Sequence, residues 1–135
     1  MPNFEDLRAF QRAVDLTVDV YVATEGFPRQ ELYGLTSQLR RASCSIVSNI
    51  AEGQGRLSYG ERRQLLSQAR GSLFEVQAQV IVAQHLNFLG IAEAEHLKKG
   101  IRAAGRELAG LIIWVKTREA QNKHRKNQNA QTPDP

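Results

Sequence analysis

Apolar residues recur at intervals of three and four along most of the chain, which is the period of an amphipathic α-helix. Four segments show this period, at residues 4–25, 30–53, 58–89 and 92–119. Glycine residues end the first three segments, and Ser58 and Glu61 have the spacing of a capping box at the start of the third. No segment alternates with the period of a strand. The pattern predicts an all-α, antiparallel, up-down-up-down four-helix bundle over residues 1–119.

Each predicted helix has one apolar stripe that we assign to the core. On the first helix the stripe is Phe4, Leu7, Phe10, Val14, Val18 and Tyr21. On the second it is Leu35, Leu39, Ala42, Ile46 and Ile50, and on the third Leu65, Ala69, Leu73, Val76, Val80 and Ala83. On the fourth it is Leu97, Ile101, Ala104, Leu108, Ile112 and Val115. Of the glycines at 100, 105 and 110 in this helix, only Gly105 is predicted to face the core.

Two of the helices have more apolar surface than one core face needs. The surplus residues are Ala13, Leu16 and Val20 on the first helix, and Phe74, Ile81 and Phe88 on the third. A wide core contact between two neighbouring helices would explain them. A subunit interface would also explain them, because a monomer rarely exposes large apolar residues in line. The presence of a surplus on two helices slightly favours the interface, and both explanations stay open.

The composition is that of one globular domain. The chain has 135 residues, of which 41% are hydrophobic and 24% charged. Its one cysteine, Cys44, cannot form an intramolecular disulfide, which fits a reducing compartment. No apolar run approaches the roughly 20 residues that span a bilayer, and the first residues do not resemble a signal peptide. We therefore expect a soluble, cytoplasmic protein without membrane association.

The positive charge is concentrated towards the end of the chain. The net charge is +4, yet residues 1–27 hold two basic and five acidic groups, a net charge of −3. Residues 91–135 hold nine basic and five acidic groups, a net charge of +4. Residues 120–135 are polar and basic, and their composition predicts a disordered tail.

Basic side chains on the predicted helices are candidate contacts for the phosphates of RNA or DNA. They are Arg40, Arg62, Arg63, Lys98, Lys99, Arg102, Arg106, Lys116 and Arg118. A row of charges is more often an ordinary solvated face. The modest net charge of the helical region also argues against a strong electrostatic affinity for nucleic acid, because that affinity grows with the number of phosphates neutralised.

Polar residues form a strip beside the apolar stripe of the second helix, and polar residues further along the chain can meet it. The predicted network is Gln38, Arg41, Asn49, Glu52, Arg56, Ser72 and Glu75. The favoured interpretation is a half-buried structural network, in which Arg41 and Arg56 pair with Glu52 or Glu75 and Asn49 caps the following loop. The alternative is a ligand site.

Catalytic and metal-binding patterns are sparse. His85, His96 and His124 are far apart, and Glu93 with His96 supplies one Glu-x-x-His motif where a di-iron bundle requires two. Cys44 has no histidine near it in sequence, so we interpret it as a packing residue. The sequence predicts a protein without enzymatic activity, cofactor, metal or small-molecule substrate.

One long motif carries a family resemblance. It comprises residues 27–42, then Ser45-Ile46, Ser48-Asn49-Ile50-Ala51-Glu52-Gly53, Arg56 and residues 69–75. Over residues 4–118 the chain resembles the bacterial four-helix-bundle family associated with intervening sequences of 23S ribosomal RNA genes. It is more distantly similar to the accessory variability determinant of diversity-generating retroelements, a basic pentamer that binds a reverse transcriptase and nucleic acid.

The resemblance implies a homopentameric ring of four-helix bundles, with no enzymatic activity and no cofactor. The residues that match the family motif include the whole polar network, and the resemblance assigns them no role. We expect an oligomeric scaffold or adaptor whose partner is unknown. The alternative is a nucleic-acid-binding accessory protein that acts with RNA or a reverse transcriptase.

Overall fold

A computed structural model describes residues 3–131 of the chain. These residues form the α-helices α1 (Arg8–Thr24), α2 (Leu35–Gln54), α3 (Tyr59–His85) and α4 (Ile91–Gln131), with short 3-10 helices at Phe4–Asp6 and Arg29–Glu31. The described part contains no strand. The predicted all-α four-helix fold is confirmed.

The four helices stand at the corners of a square. Each of α1 and α3 packs against both α2 and α4, whereas within residues 3–131 no Cα atoms of α1 and α3 approach within 8 Å. Side-chain contacts follow the order of an up-down bundle. Arg40 near the start of α2 donates from Nε to Thr24 Oγ1 at the end of α1 (2.9 Å), and Arg63 early in α3 pairs with Glu119 late in α4 (2.8 Å). The outer faces of α1 and α3 therefore point away from each other.

Side chains cap the N-termini of two helices. Ser58 Oγ accepts from the Glu61 N–H at the start of α3 (3.1 Å), as its spacing predicts. Glu31 Oε2 accepts from the Leu35 N–H at the start of α2 (3.0 Å). The helix α3 ends at His85, earlier than the predicted Leu89, because Asn87 adopts the left-handed conformation (φ 62°) that commonly follows a helix.

The core stripes predicted for α2, α3 and α4 are confirmed with small changes. On α3, Leu66 rather than Leu65 is fully buried, and on α4 Ile112 is only partly buried. Gly105 approaches the core as predicted, since a Cβ atom there would lie 3.3 Å from Leu73 Cδ2. Gly100 does so too, against the prediction, because a Cβ atom there would lie 3.4 Å from Leu16 Cδ1.

The core stripe predicted for α1 is confirmed at its start and wrong at its end. Leu7 and Phe10 are partly buried and pack against the core, whereas Val18 is 56% exposed and Tyr21 41% exposed. Ala13, Leu16 and Val20 fill the core and are at most 1% exposed. Leu7 is extended (φ −72°, ψ 129°), so Phe4 does not share the helical period of α1. Within α1 the smaller apolar residues face the core, and the larger stripe from Phe10 to Tyr21 lies to one side of them.

The first three candidate subunit-interface residues are corrected by the same observation. Ala13, Leu16 and Val20 are enclosed inside the monomer and cannot meet a second copy. The helix α1 still carries surplus apolar surface, but Val18, Tyr21 and Val22 provide it.

The predicted disordered tail is also wrong as far as the structure describes it. The helix α4 continues through residues 120–131, all of them exposed, and residues 132–135 lie outside the described part. No glycine or proline follows Gly110 before Gln131, so nothing in the sequence stops the helix. Lys123 Nζ lies 3.6 Å from Glu119 Oε1, one turn away. At 1.5 Å per residue, these twelve residues extend α4 by about 18 Å.

Replacing Ser58 by alanine removes the side-chain acceptor at the start of α3. We expect the free energy of unfolding to fall by about 1 kcal/mol, since the Glu61 N–H loses its partner. Urea unfolding followed by circular dichroism measures this change. The matched control is Ser67→Ala, an exposed serine inside α3, which should be neutral or slightly stabilising because alanine is the better helix former. Equal losses in the two variants would contradict the cap.

Candidate interaction surfaces

The predicted polar network divides into separate parts. Across the contact of α2 with α3, Ser72 Oγ donates to Ser45 Oγ (2.9 Å), and Asn49 Nδ2 donates to the same oxygen (3.1 Å). Asn49 therefore bonds within α2 and does not cap the loop as predicted. Small residues allow the two helices this closeness, and a Cβ atom on Gly53 would lie 3.5 Å from Leu65 Cβ. This cluster joins two helices, and its members satisfy one another by hydrogen bonds.

The remaining members of the network lie on the surface. Arg56 and Glu52 form an ion pair (2.7 Å) in which both side chains are about half exposed. The side chains of Gln38, Arg41 and Glu75 are exposed and make no hydrogen bond or ion pair within residues 3–131. The predicted pairing of Arg41 is therefore wrong, because its side chain points into solvent. These exposed groups lie along the outer edge of the contact between α2 and α3.

Arg62, one of the candidate nucleic-acid contacts, is part of the interior. It is 7% exposed, its Nε donates to the Arg56 carbonyl (2.8 Å), and its guanidinium lies 5.1 Å from the centre of the Tyr59 ring. It holds the loop between α2 and α3 against the start of α3. This prediction is corrected, because a buried guanidinium cannot reach a phosphate.

Three more candidates are engaged by their own chain while remaining partly exposed. The Arg40 guanidinium lies 4.6 Å from the centre of the Tyr21 ring, and Arg118 lies 4.9 Å from the Trp114 ring. Arg63 donates to Glu119, as described above. The contacts of Arg40 and Arg63 join two helices, whereas that of Arg118 lies within α4.

The other basic candidates all lie on α4. Lys99, Arg102, Arg106 and Lys116 are exposed and have no ion pair within residues 3–131, and Lys98 is 3.8 Å from Glu95. Projection at 100° per residue places Lys98 and Arg102 on the side of α4 that faces α3. Lys99 and Arg106 point outward.

A groove runs between α3 and α4. Its cavity has a volume of about 300 Å³, with Leu73, Ile101 and Leu108 among the apolar residues that line it. Arg70 and Arg102 lie on its rim, and the Arg70 guanidinium is 5.5 Å from the centre of the Phe74 ring. A second cavity of about 160 Å³ extends the groove to Lys98. The rim is basic and the floor is apolar.

Beside this groove, α3 has an exposed apolar side that we call the α3 face. It consists of Gly71, Phe74, Ala78, Ile81 and Val82. Phe74 is 57% exposed and Ile81 44% exposed, as a subunit interface on this helix requires. Phe88, the third candidate on α3, is different, because it is partly buried and its ring lies 5.5 Å from the Phe27 ring. Phe88 closes the bundle at the end of α3.

The corresponding surface at the opposite corner is the α1 face, which consists of Val18, Tyr21 and Val22. Acidic residues border it, namely Asp15, Asp19 and Glu25. Asp19 Oδ2 lies 3.0 Å from His96 Nε2 on α4. The Tyr21 hydroxyl lies 3.7 Å from Cys44 Sγ, and this hydrogen bond raises the pKa of Tyr21 above its ordinary value.

The described residues offer no metal site and no membrane-crossing element. Within residues 3–131, no three histidine, cysteine, aspartate or glutamate side chains lie close enough together to hold a metal ion. None of the helices in this part of the chain is both long enough and apolar enough to cross a membrane.

Comparison with known families gives one match. The family model described as "23S rRNA-intervening sequence protein" matches residues 5–110. The match begins before α1 and ends within α4, so it includes the α1 face, the α3 face and the groove. Comparison with curated proteins gives no significant match.

The pair of Arg63 and Glu119 predicts a pH dependence of stability. The hydrogen bond from Arg63 holds the pKa of Glu119 below its ordinary value. A carboxyl whose pKa is lowered by folding stabilises the fold at neutral pH and loses this effect as the pH falls through the lowered pKa. The stability difference between the native chain and Glu119→Gln should therefore shrink between pH 7 and about pH 3, as measured by urea unfolding.

The control for this prediction is Glu107→Gln on the same helix. The Glu107 side chain makes no hydrogen bond or ion pair within residues 3–131, so Glu107→Gln removes a carboxylate from α4 without removing a contact to another helix. A constant difference for Glu119→Gln over the same pH range would contradict the role assigned to Arg63.

Proposed function

The chain belongs to the 23S rRNA-intervening sequence protein family, and we propose that it is a non-enzymatic scaffold or adaptor assembled from several copies of itself. The family resemblance implies five copies in a ring. The assembled object, and not the single bundle, is then the unit that meets partners.

The observation that carries this proposal is the exposed apolar surface on a bundle whose core is already filled. Val18 and Val22 on α1 are 56% and 63% exposed, and Phe74 and Ile81 on α3 are 57% and 44% exposed. The helix α3 has apolar residues on two sides, the buried stripe and the exposed α3 face. The bundle buries the first of these sides, and a second copy of the chain would bury the other.

The surface chemistry supports a scaffold better than an enzyme. The histidine side chains are exposed and far apart in sequence, and the polar cluster around Ser45 is filled by its own hydrogen bonds. A symmetric assembly repeats each exposed group once per copy. Modest patches, such as the Glu52 and Arg56 pair or the exposed Arg41, thereby become multivalent surfaces for a partner.

Nucleic-acid binding is the second candidate function. The observation that favours it is the set of exposed basic side chains along α4. Lys99, Arg106 and Lys116 are exposed along one helix, without an ion pair in the described part of the chain. The same helix carries Arg125 and Lys126 beyond the bundle. A straight row of cations suits the regular spacing of backbone phosphates.

Self-assembly is tested by light scattering during size-exclusion chromatography at micromolar concentration. We expect a mass several times that of the 15.1 kDa chain, and five times if the family resemblance extends to the copy number. Dilution should shift the protein to smaller species because association depends on concentration. A monomer at tens of micromolar would overturn the proposal.

Nucleic-acid binding is tested by filter binding to a structured RNA at two salt concentrations. Replacing Lys123, Arg125 and Lys126 by glutamine should lower affinity and reduce the slope of log affinity against log salt by about two to three. The control removes positive charge at Arg29 and Arg41, two exposed arginines on the short 3-10 helix and on α2, neither of which contacts α4, and should leave the slope unchanged. Absence of binding, or of any salt dependence, would exclude this second function.

A further inference from the structure

Gly71 has no packing role inside its own bundle. It lies in the interior of α3, where glycine is less favourable than alanine, and a Cβ atom there would meet no other atom within 4 Å. Projection at 100° per residue places Gly71 and Ala78 opposite the buried stripe of α3. The missing side chain therefore leaves space on the outermost line of the helix, where another backbone can approach closely.

Large and small residues alternate along this line. Gly71 and Ala78 are seven residues apart, and so are Phe74 and Ile81, which flank them. Repeats of seven place the same side of one helix against another helix, whose side chains enter the holes between the larger residues. Glu75 is the single charged residue between 71 and 84. The α3 face is thus suited to an apolar helix and not to a polar ligand.

The net charges beside the two exposed faces are opposite. Arg70, Lys98 and Arg102 line the groove beside the α3 face. Asp15 and Glu25 border the α1 face together with Arg12, which lies 3.9 Å from Asp15, and the Arg40 guanidinium lies over the Tyr21 ring. Residues 1–27 as a whole hold two basic and five acidic groups, a net charge of −3. Two α3 faces placed together would bring their basic rims together, which like charges disfavour. The α1 face instead offers an apolar helix in a segment of net negative charge.

The fold prevents the two faces of one copy from meeting. The helices α1 and α3 occupy opposite corners of the square, so their outer faces point in opposite directions. An α1 face that covers an α3 face must belong to a second copy. Each copy in such a pair keeps one unused face, and the association continues until a ring closes.

We propose that copies of the chain associate head to tail, with the α1 face of one copy packed on the α3 face of the next and Gly71 at the closest approach of the two helices. This pairing rests on the self-assembly proposed above and assigns the surfaces that carry it.

Complementation between two variants tests the pairing. The first variant carries Val18→Glu and Val22→Glu, and the second carries Phe74→Glu and Ile81→Glu. All four positions are exposed, so both variants should keep the native helix content in circular dichroism. Each alone should be monomeric, and an equimolar mixture should give a heterodimer of about 30 kDa, twice the 15.1 kDa chain. The reason is that each variant retains one of the two complementary faces.

The other outcomes separate this pairing from its alternatives. If α3 faces paired with each other, the first variant would still associate alone and the mixture would contain no heterodimer, which overturns the proposal. Two folded variants that stay monomeric when mixed overturn it as well. A native chain that is itself monomeric overturns the proposed function instead, and is recognised before any variant is made.

A glycine pair tests the close approach. Gly71→Ala and Gly110→Ala both place a methyl group in open space within a helix, so each should raise the urea midpoint of the monomeric Phe74→Glu, Ile81→Glu background. In the native background, Gly71→Ala should weaken association at least about tenfold through overpacking, and Gly110→Ala should leave it unchanged. Unchanged association for Gly71→Ala would show that no helix approaches there.

Discussion

One core can bury only one side of each helix, and the rest of this structure depends on that constraint. The four core stripes converge inside the square, which removes Leu16, Ile46, Val76 and Leu108 from solvent. Whatever apolar surface remains must lie on the outer corners. Because α1 and α3 are diagonal, their surplus is divided between opposite sides of the molecule and does not merge into one patch. The arrangement of the core thus determines where apolar surface stays exposed.

The sequence predicts the number of helices and most of the core because those features repeat. Several residues agree on each stripe of α2, α3 and α4, so a single irregular position such as Leu65 does not move the stripe. The start of α3 is equally local, since Ser58 and Glu61 lie within one turn. Features of this kind need no knowledge of the rest of the fold.

The errors arise where distant or irregular contacts decide. The extended conformation of Leu7 separates Phe4 from the helical period of α1, and within α1 the smaller residues Ala9 and Ala13 occupy the core. The burial of Arg62 depends on a backbone carbonyl in the preceding loop. The partial burial of Phe88 depends on its ring contact with Phe27, which is distant in sequence. Pattern alone contains none of this information. Charge in a sequence is likewise an upper limit on charge that is available, because Arg63 is already satisfied by Glu119.

The contact of Arg63 with Glu119 also marks a change in what holds α4 together. Up to this point the helix is supported by α1 and α3. Beyond it residues 120–131 are all exposed, and contacts within one turn, such as that of His124 with Gln128, support the helix. A free helix of twelve residues is marginal in water because nucleation is costly, but here the bundle supplies the first turns. Loss of helix in residues 120–131 would therefore leave the core of the bundle intact, because none of these residues is buried. The stability of this end of α4 is set by the local propensity of its residues and is separate from the stability of the bundle.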